Sequence, residues 1–201
     1  MSEAIPELYR HDQFVARRKV FKLFGAGFTI FTLDGRPLAS SEQKAFRLKE
    51  DIRVVDGPAG GPEILHIKAD RIIDFGAAYR VTDTRTGEPI GTLRRKGWKS
   101  MFRDSWEILD ESGTVRGRVR EDSGWKAVIR RLHDFTSLLL PQAFRIEVEG
   151  RVVGTMRQNF NPFVHKFFVD LTPDTEGLLP RPLAVATVIL LLAVEGRQQA
   201  L

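Results

Sequence analysis

The chain has 201 residues, and its 42% hydrophobic and 28% charged composition excludes a disordered protein. The absence of cysteine excludes disulfides and thiolate metal sites and fits a reducing compartment. A chain of this length and a net charge of +5 predict one domain, 1–201, that attracts anions.

The N-terminal segment MSEAIPELYRHDQF has neither an apolar stretch of signal-peptide length nor a basic leader before one. We therefore expect a cytoplasmic protein. Within this opening stretch we predict a helix.

Four segments share a pattern that predicts a β-hairpin. Each begins with an aromatic residue, has a β-branched residue two positions later and then passes through a turn that contains glycine. The segments begin at Phe28, Tyr79, Trp106 and Phe144. After each turn a small residue falls on the face expected to point inward, namely Ala39, Gly91, Gly117 or Gly154. A glycine there indicates that another element packs closely against the strand, or that the sheet bends.

Other strand-like stretches are 21–24, 46–55, 64–67 and 166–171, which brings the total to about a dozen strands. No alternation of strands with helices is present, so a parallel sheet is not expected. The predicted fold class is all-β, as a large antiparallel barrel or sandwich.

A basic cluster, RRKGWKSMFR, occupies residues 94–103, and the segment 80–131 by itself accounts for the whole net charge of +5. Leu93 shares the inward phase of Gly91, so Arg94 and Lys96 should face outward. Cations around an aromatic residue suit an anionic membrane surface. The predicted phosphate-binding or lipid-binding residues are Arg94, Lys96, Trp98, Lys99 and Arg103. In the alternative interpretation, Trp98 belongs to the core and the cations are simply solvated.

Residues 124–139 have the spacing of an amphipathic helix, with an apolar side and a side that carries Lys126, Arg130 and His133. Further along the chain, VDLTPDTEG contains Asp170, Asp174 and Glu176. Carboxylates at this spacing are candidate ligands for a hard cation. In the alternative interpretation they form a loop with a carboxylate at the start of the last helix.

Residues 183–194 form an apolar run that is either a membrane anchor or a buried helix. Twelve helical residues extend about 18 Å, whereas a bilayer core is about 30 Å thick. The run is flanked by Arg181 and Glu195, so it does not extend into a transmembrane segment. We therefore predict a helix over about 181–198 that is enclosed by a barrel, with the inward glycines providing room for it.

The stretch 79–113, the sequence REDSGWKAVIRRL, the motif RQNFNPF and the apolar tail ending AVEGRQ together resemble the tubby C-terminal-like superfamily. This superfamily includes tubby, the phospholipid scramblases and the LURP-one-related proteins, and the chain is most similar to small bacterial members. The resemblance covers nearly the whole chain. It implies a twelve-stranded antiparallel barrel closed around a hydrophobic C-terminal helix.

The resemblance also implies two ligands. Tubby binds phosphoinositide head groups through cations on its barrel, and the basic cluster here is similar in kind. Scramblases carry a calcium-binding acidic segment where this chain has Asp170, Asp174 and Glu176. The acidic residues here are fewer, and the glycine position of an EF-hand is missing.

Catalytic patterns are weak. The four histidines are scattered, and neither a G-x-S-x-G motif nor a Walker loop is present. We predict a non-enzymatic barrel, without a transmembrane segment, that binds anionic phospholipid or phosphoinositide-like head groups peripherally at the inner face of the membrane. Two alternatives stay open: nucleic-acid binding by the same basic face, and a structural or protein-interaction module without a small ligand. The oligomeric state also stays open.

Overall fold

The computed structural model describes residues 5–21, 25–44, 51–58, 60–70, 77–96, 105–122, 142–159 and 166–198. These residues form twelve strands, a short 3-10 helix at Glu7–Arg10 and one α-helix, α1, at Arg181–Gln198. The strands are β1 (Gln13–Phe21), β2 (Gly25–Phe31), β3 (Pro37–Lys44), β4 (Asp51–Asp56), β5 (Glu63–Ala69), β6 (Ala78–Asp83), β7 (Glu88–Lys96), β8 (Ser105–Leu109), β9 (Val115–Glu121), β10 (Ala143–Val148), β11 (Arg151–Gln158) and β12 (Lys166–Asp170).

The strands form a closed antiparallel barrel in which each pairs with its neighbours in the chain. The seam is the pairing of β1 with β12, where Phe14 lies opposite Val169. Closure leaves none of the described strands with a free edge. The predicted all-β barrel is therefore confirmed.

The four predicted hairpins are β2–β3, β6–β7, β8–β9 and β10–β11. In each, the small residue after the turn lies opposite an inward Ile or Val, and the register shifts immediately afterwards: the pairs are Ala39 with Ile30, Gly91 with Val81, Gly117 with Ile108 and Gly154 with Ile146. Such bulges increase the local twist and bend the strand. The repeated sequence pattern thus marks a repeated bend that helps to curve the wall.

Of the three glycines predicted to face inward, only Gly91 lies against the helix. A Cβ atom at Gly91 would lie 2.6 Å from the backbone oxygen of Leu109 and 3.3 Å from Cδ2 of Leu183 on α1. At Gly117 the nearest atom is instead the backbone oxygen of Glu147 at 2.5 Å, and at Gly154 it is the Leu171 side chain at 2.7 Å. The expectation is confirmed at Gly91. At the other two positions the crowding comes from neighbouring strands or from the segment after β12.

The helix α1 fills the inside of the barrel. Every residue from Leu183 to Ala193 is buried, and Ile189 is 1% exposed. The wall contributes large inward side chains such as Phe14, Phe28 and Trp106. A helix that is apolar on all sides needs such an enclosure. The predicted central helix is confirmed, and none of the helices in the described ranges is long and apolar enough to cross a membrane.

Two predictions for the first half of the chain need correction. Within its described part, from residue 5 onward, the opening stretch forms one 3-10 turn and no α-helix, and β1 begins at Gln13, in a region where the sequence did not predict a strand. The run of three cations at residues 17–19 conceals the alternation of apolar and polar residues that identifies a strand. Arg18 in this run points inward and donates from Nη1 to the backbone oxygen of Leu192 on α1 (3.3 Å). The residues 22–24 and 46–50 of two predicted strands, and the predicted helix 124–139, lie outside the described residues.

The two ends of the barrel are different. At the head end, α1 begins and the turns after β2, β4, β6, β8 and β10 connect hairpins. At the tail end, the odd-numbered strands finish and the C-terminal half of α1 lies beside Arg18. We use these two names below because the charges of the two ends differ.

Candidate anion-binding surface

Arg94 and Lys96 lie on the outer face of β7, as predicted. Leu93, which precedes Arg94, points inward and is fully buried. Both cations bind one carboxylate, Glu107 on β8, which is the register partner of Arg94. Nη2 of Arg94 lies 2.6 Å from Oε2 of Glu107, and Nζ of Lys96 lies 2.9 Å from Oε1. Trp98, Lys99 and Arg103, the other members of the predicted cluster, lie outside the described residues.

Glu107 is an ionised carboxylate at the base of this pair. Its side chain is 3% exposed, whereas those of Arg94 and Lys96 are 44% and 63% exposed. The hydrogen bond from Lys96 lowers the pKa of Glu107, and that from Arg94 adds to it, against the opposing effect of burial. One of the two charges is therefore neutralised. The ammonium of Lys96 has three donors, so it can still hydrogen-bond to a ligand while it holds Glu107.

Strand β9 adds cations that the sequence analysis did not select. Arg116, Arg118 and Arg120 occupy successive outward positions, separated by the buried Gly117 and Val119. Arg116 forms an ion pair with Glu149 in the head-end turn. Arg118 and Arg120 form no ion pair within the part of the chain that the structure describes. The alternating VRGRVRE pattern was the signal in the sequence that could have identified them.

At two places toward the tail end, two cations on neighbouring strands lie directly opposite each other. Arg120 on β9 pairs with Arg145 on β10, and Lys68 on β5 pairs with Arg80 on β6. Arg145 donates from Nε to Asp122 at 2.9 Å, and Arg80 binds Asp70 at 3.4 Å. Like charges in directly opposite positions destabilise a sheet. A bound anion would relieve this repulsion.

The head end has the opposite character, because five of its arginines are paired with carboxylates. The ion pairs there are Arg36–Glu7, Arg85–Asp83, Arg116–Glu149, Arg151–Glu176 and Arg181–Asp12. Further carboxylates at this end of the barrel include Asp34, Glu88 and Asp110. An open cleft of about 480 Å³ at this end has mixed charge, since Asp12 and Asp34 line it together with Arg10 and Arg36. Among the described residues, charge is thus polarised along the barrel axis, with carboxylates and paired cations at the head end and an excess of cations toward the tail end.

The three carboxylates predicted as metal ligands have separate roles. Asp174 is fully buried at its side chain and accepts hydrogen bonds from the backbone N–H groups of Leu178 (2.8 Å) and Leu179 (3.2 Å). Asp170 accepts from the backbone N–H and the hydroxyl of Thr172 at 3.0 and 2.7 Å. Glu176 forms its ion pair with Arg151.

Among the described residues, no group of three or more His, Asp or Glu side chains is arranged to hold a metal ion. Calcium binding by Asp170, Asp174 and Glu176 therefore stays a prediction without a ligand cluster to support it.

Comparison with known proteins identifies the fold. Residues 39–191 match the model of the family described as LURP-one-related. A protein of Arabidopsis thaliana, solved by X-ray crystallography, has a similar structure, with a TM-score of 0.53 and 14% sequence identity over 96% of this chain and 98% of that chain. At this identity the likeness shows the fold alone. Among curated proteins nothing matches the chain.

Proposed function

We propose that this chain, which belongs to the LURP-one-related family, binds anionic phospholipid or phosphoinositide-like head groups through the cations toward the tail end of its barrel. The observation that carries the proposal is on β9, where Arg118 and Arg120 have no ion-pair partner among the described residues and Arg120 directly faces Arg145. Arg94 and Lys96 flank this surface. The role is non-enzymatic and peripheral to the membrane.

The energetics favour an extended anionic surface as the ligand. Each Lys or Arg near such a surface contributes about 1 kcal/mol, and the attraction falls off within a Debye length of roughly 8–10 Å. Arg118 and Arg120 lie two positions apart on β9, and Arg145 lies on the adjacent strand about 5 Å away, so several head groups can neutralise them together. The paired cations and carboxylates of the head end would be turned away from the membrane.

The test is co-sedimentation with phosphatidylcholine vesicles that contain increasing fractions of phosphatidylserine or of a phosphoinositide. The variant Arg118→Gln/Arg120→Gln is compared with the control Arg116→Gln/Arg151→Gln. Both variants lose two positive charges from exposed strand positions, but the control loses them at the head end, where they are already paired. Running each series with and without calcium tests whether a cation takes part.

We expect binding that depends on the anionic fraction and weakens with salt, and that is reduced only in the β9 variant. Two lost charges correspond to about 2 kcal/mol, or roughly thirtyfold in affinity. Equal losses in both variants would show that only net charge matters and would refute the assigned surface. Tighter binding to a DNA or RNA polymer than to vesicles, with a steep salt dependence, would favour the nucleic-acid alternative.

A further inference from the structure

An apolar strip crosses the outer face of the barrel at its seam. Phe168 on β12 is 50% exposed, and its register partner on β1 is Val15, which in turn lies opposite Phe31 on β2. Directly opposite residues have Cβ atoms about 5 Å apart, so the three side chains are contiguous. Leu33, 61% exposed, extends the strip into the turn after β2. Phe168 and Leu33 are exposed and Val15 and Phe31 are half-buried, so the strip is a candidate interaction surface.

The charges beside the strip are arranged with opposite sign on its two sides. On the outer face of β12, Lys166 and Asp170 are the residues two positions before and after Phe168, at about 6.6 Å each way along the strand. On β1, Arg17 lies opposite Lys166 and Gln13 lies opposite Asp170. The strip is therefore basic on its tail-end side and acidic on its head-end side.

The placement of Lys166 and Asp170 along β12 is self-complementary, and we propose that the outer face of β12 and β1 binds a second copy of this chain. A two-fold axis through Phe168, perpendicular to β12, stacks the Phe168 side chains of the two copies. The same axis brings Lys166 of each copy to Asp170 of the other. The carboxylate of Asp170 can accept this contact while it keeps its hydrogen bonds to Thr172, because it offers about four lone-pair sites.

A second copy fits this face better than a membrane does. An anionic membrane would attract Lys166 and Arg17 but repel Asp170, which lies on the same face of the same strand. An oppositely oriented copy satisfies both sides. The proposal uses none of the arginines of β9, so it stands or falls independently of lipid binding.

The test is sedimentation velocity over a concentration series up to the highest soluble concentration. We expect a monomer–dimer equilibrium for the wild type that Phe168→Asp weakens roughly tenfold or more. The control is Val152→Asp on β11, which places the same charge at another exposed apolar position, 40% exposed, outside the strip. Its dimerisation should be unchanged. Melting curves of all variants check that each one folds.

A charge exchange tests the orientation of the two copies. Lys166→Glu and Asp170→Lys should each weaken dimerisation, since each places like charges opposite one another across the two-fold axis. An equimolar mixture of the two variants should form a heterodimer, because the exchanged charges then pair. Mixing cannot repair a folding defect, so recovery reports on the contact itself.

A wild type that stays monomeric throughout, a dimer unaffected by Phe168→Asp, or a mixture that shows no recovery would each overturn the proposal. A monomeric wild type whose vesicle binding falls with Phe168→Asp but not with Val152→Asp would assign the strip to a membrane surface and would also overturn it.

Discussion

Because α1 is enclosed by the barrel, we predict that a charge at its central residue, Ile189, prevents folding. In Ile189→Asp the chain loses an isoleucine side chain that is 1% exposed, which costs about 2–5 kcal/mol for truncation alone. Burial of an unpaired carboxylate adds several kcal/mol. The sum is comparable with the whole stability of a typical domain, about 5–15 kcal/mol, so we expect the variant not to fold.

One feature of the barrel interior has to be controlled for. Arg18 donates to the backbone oxygen of Leu192, within one helical turn of Ile189, and a guanidinium there could partly compensate a new carboxylate. Val185→Asp places the same charge about 6 Å further from Leu192 along the helix, at another buried position. We expect it to be at least as destructive as Ile189→Asp.

The assay is circular dichroism and thermal melting of a graded series. Ile189→Val should cost about 0.5–1.5 kcal/mol and lower Tm by a few degrees, and Ile189→Ala should lower it further. Phe168→Asp on the outer face is the matched charge control and should melt within a few degrees of the wild type. A soluble Val185→Asp protein with an unchanged melting curve would refute the enclosed helix.

Three further predictions concern single residues of the wall and its turns. The pKa of Glu107 is lowered, so its contribution to stability is complete above the ordinary value of 4.5 and is lost as the pH falls through the lowered value. We therefore expect the difference in Tm between the wild type and Glu107→Gln to disappear in acid. At neutral pH we expect the variant to bind anionic vesicles about fivefold more tightly, because it loses one negative charge that opposes binding. Unchanged vesicle binding would argue against the proposed surface. Gly91→Ala should cost about 1–3 kcal/mol in urea unfolding, because its Cβ meets the Leu109 backbone oxygen at 2.6 Å, and a neutral result would mean that the wall yields there. Asp174→Ala removes the acceptor of the backbone N–H groups of Leu178, which is half-buried, and Leu179, which is buried, and should cost about 1–3 kcal/mol with or without calcium. A calcium-dependent rise in Tm that the variant abolishes would support a metal site instead.

The barrel was predictable because its signals are local. Alternation and turn glycines identify a hairpin within about fifteen residues, and an apolar run too short for a bilayer identifies an enclosed helix. Strand β1 was missed for a physical reason. The interior accepts the charged Arg18 because the backbone oxygen of Leu192 on α1 receives its hydrogen bond, and no pattern within the strand reveals that contact.

The candidate surface was only half predictable. The outward phase of Arg94 and Lys96 follows from alternation, but their shared partner Glu107 depends on the register between β7 and β8. Likewise, the carboxylate of Asp174 is a possible metal ligand by residue type, but in the structure it stabilises the turn between β12 and α1. Only the backbone path of Leu178 and Leu179 shows which hydrogen bonds it accepts.

The position of α1 in the chain has a consequence for biosynthesis. A ribosome releases the N-terminal strands first, whereas the residues that fill their interior, from Leu183 onward, are translated after all twelve strands. The seam adds to the delay, because Gln13 cannot meet Asp170 until the eleven following strands have been made. Native assembly of the barrel therefore waits for its last strand and its helix, and the many long-range contacts make it slow. Until then the nascent wall presents both its apolar inner face and two open strand edges, which are the features that chaperones bind and that promote aggregation.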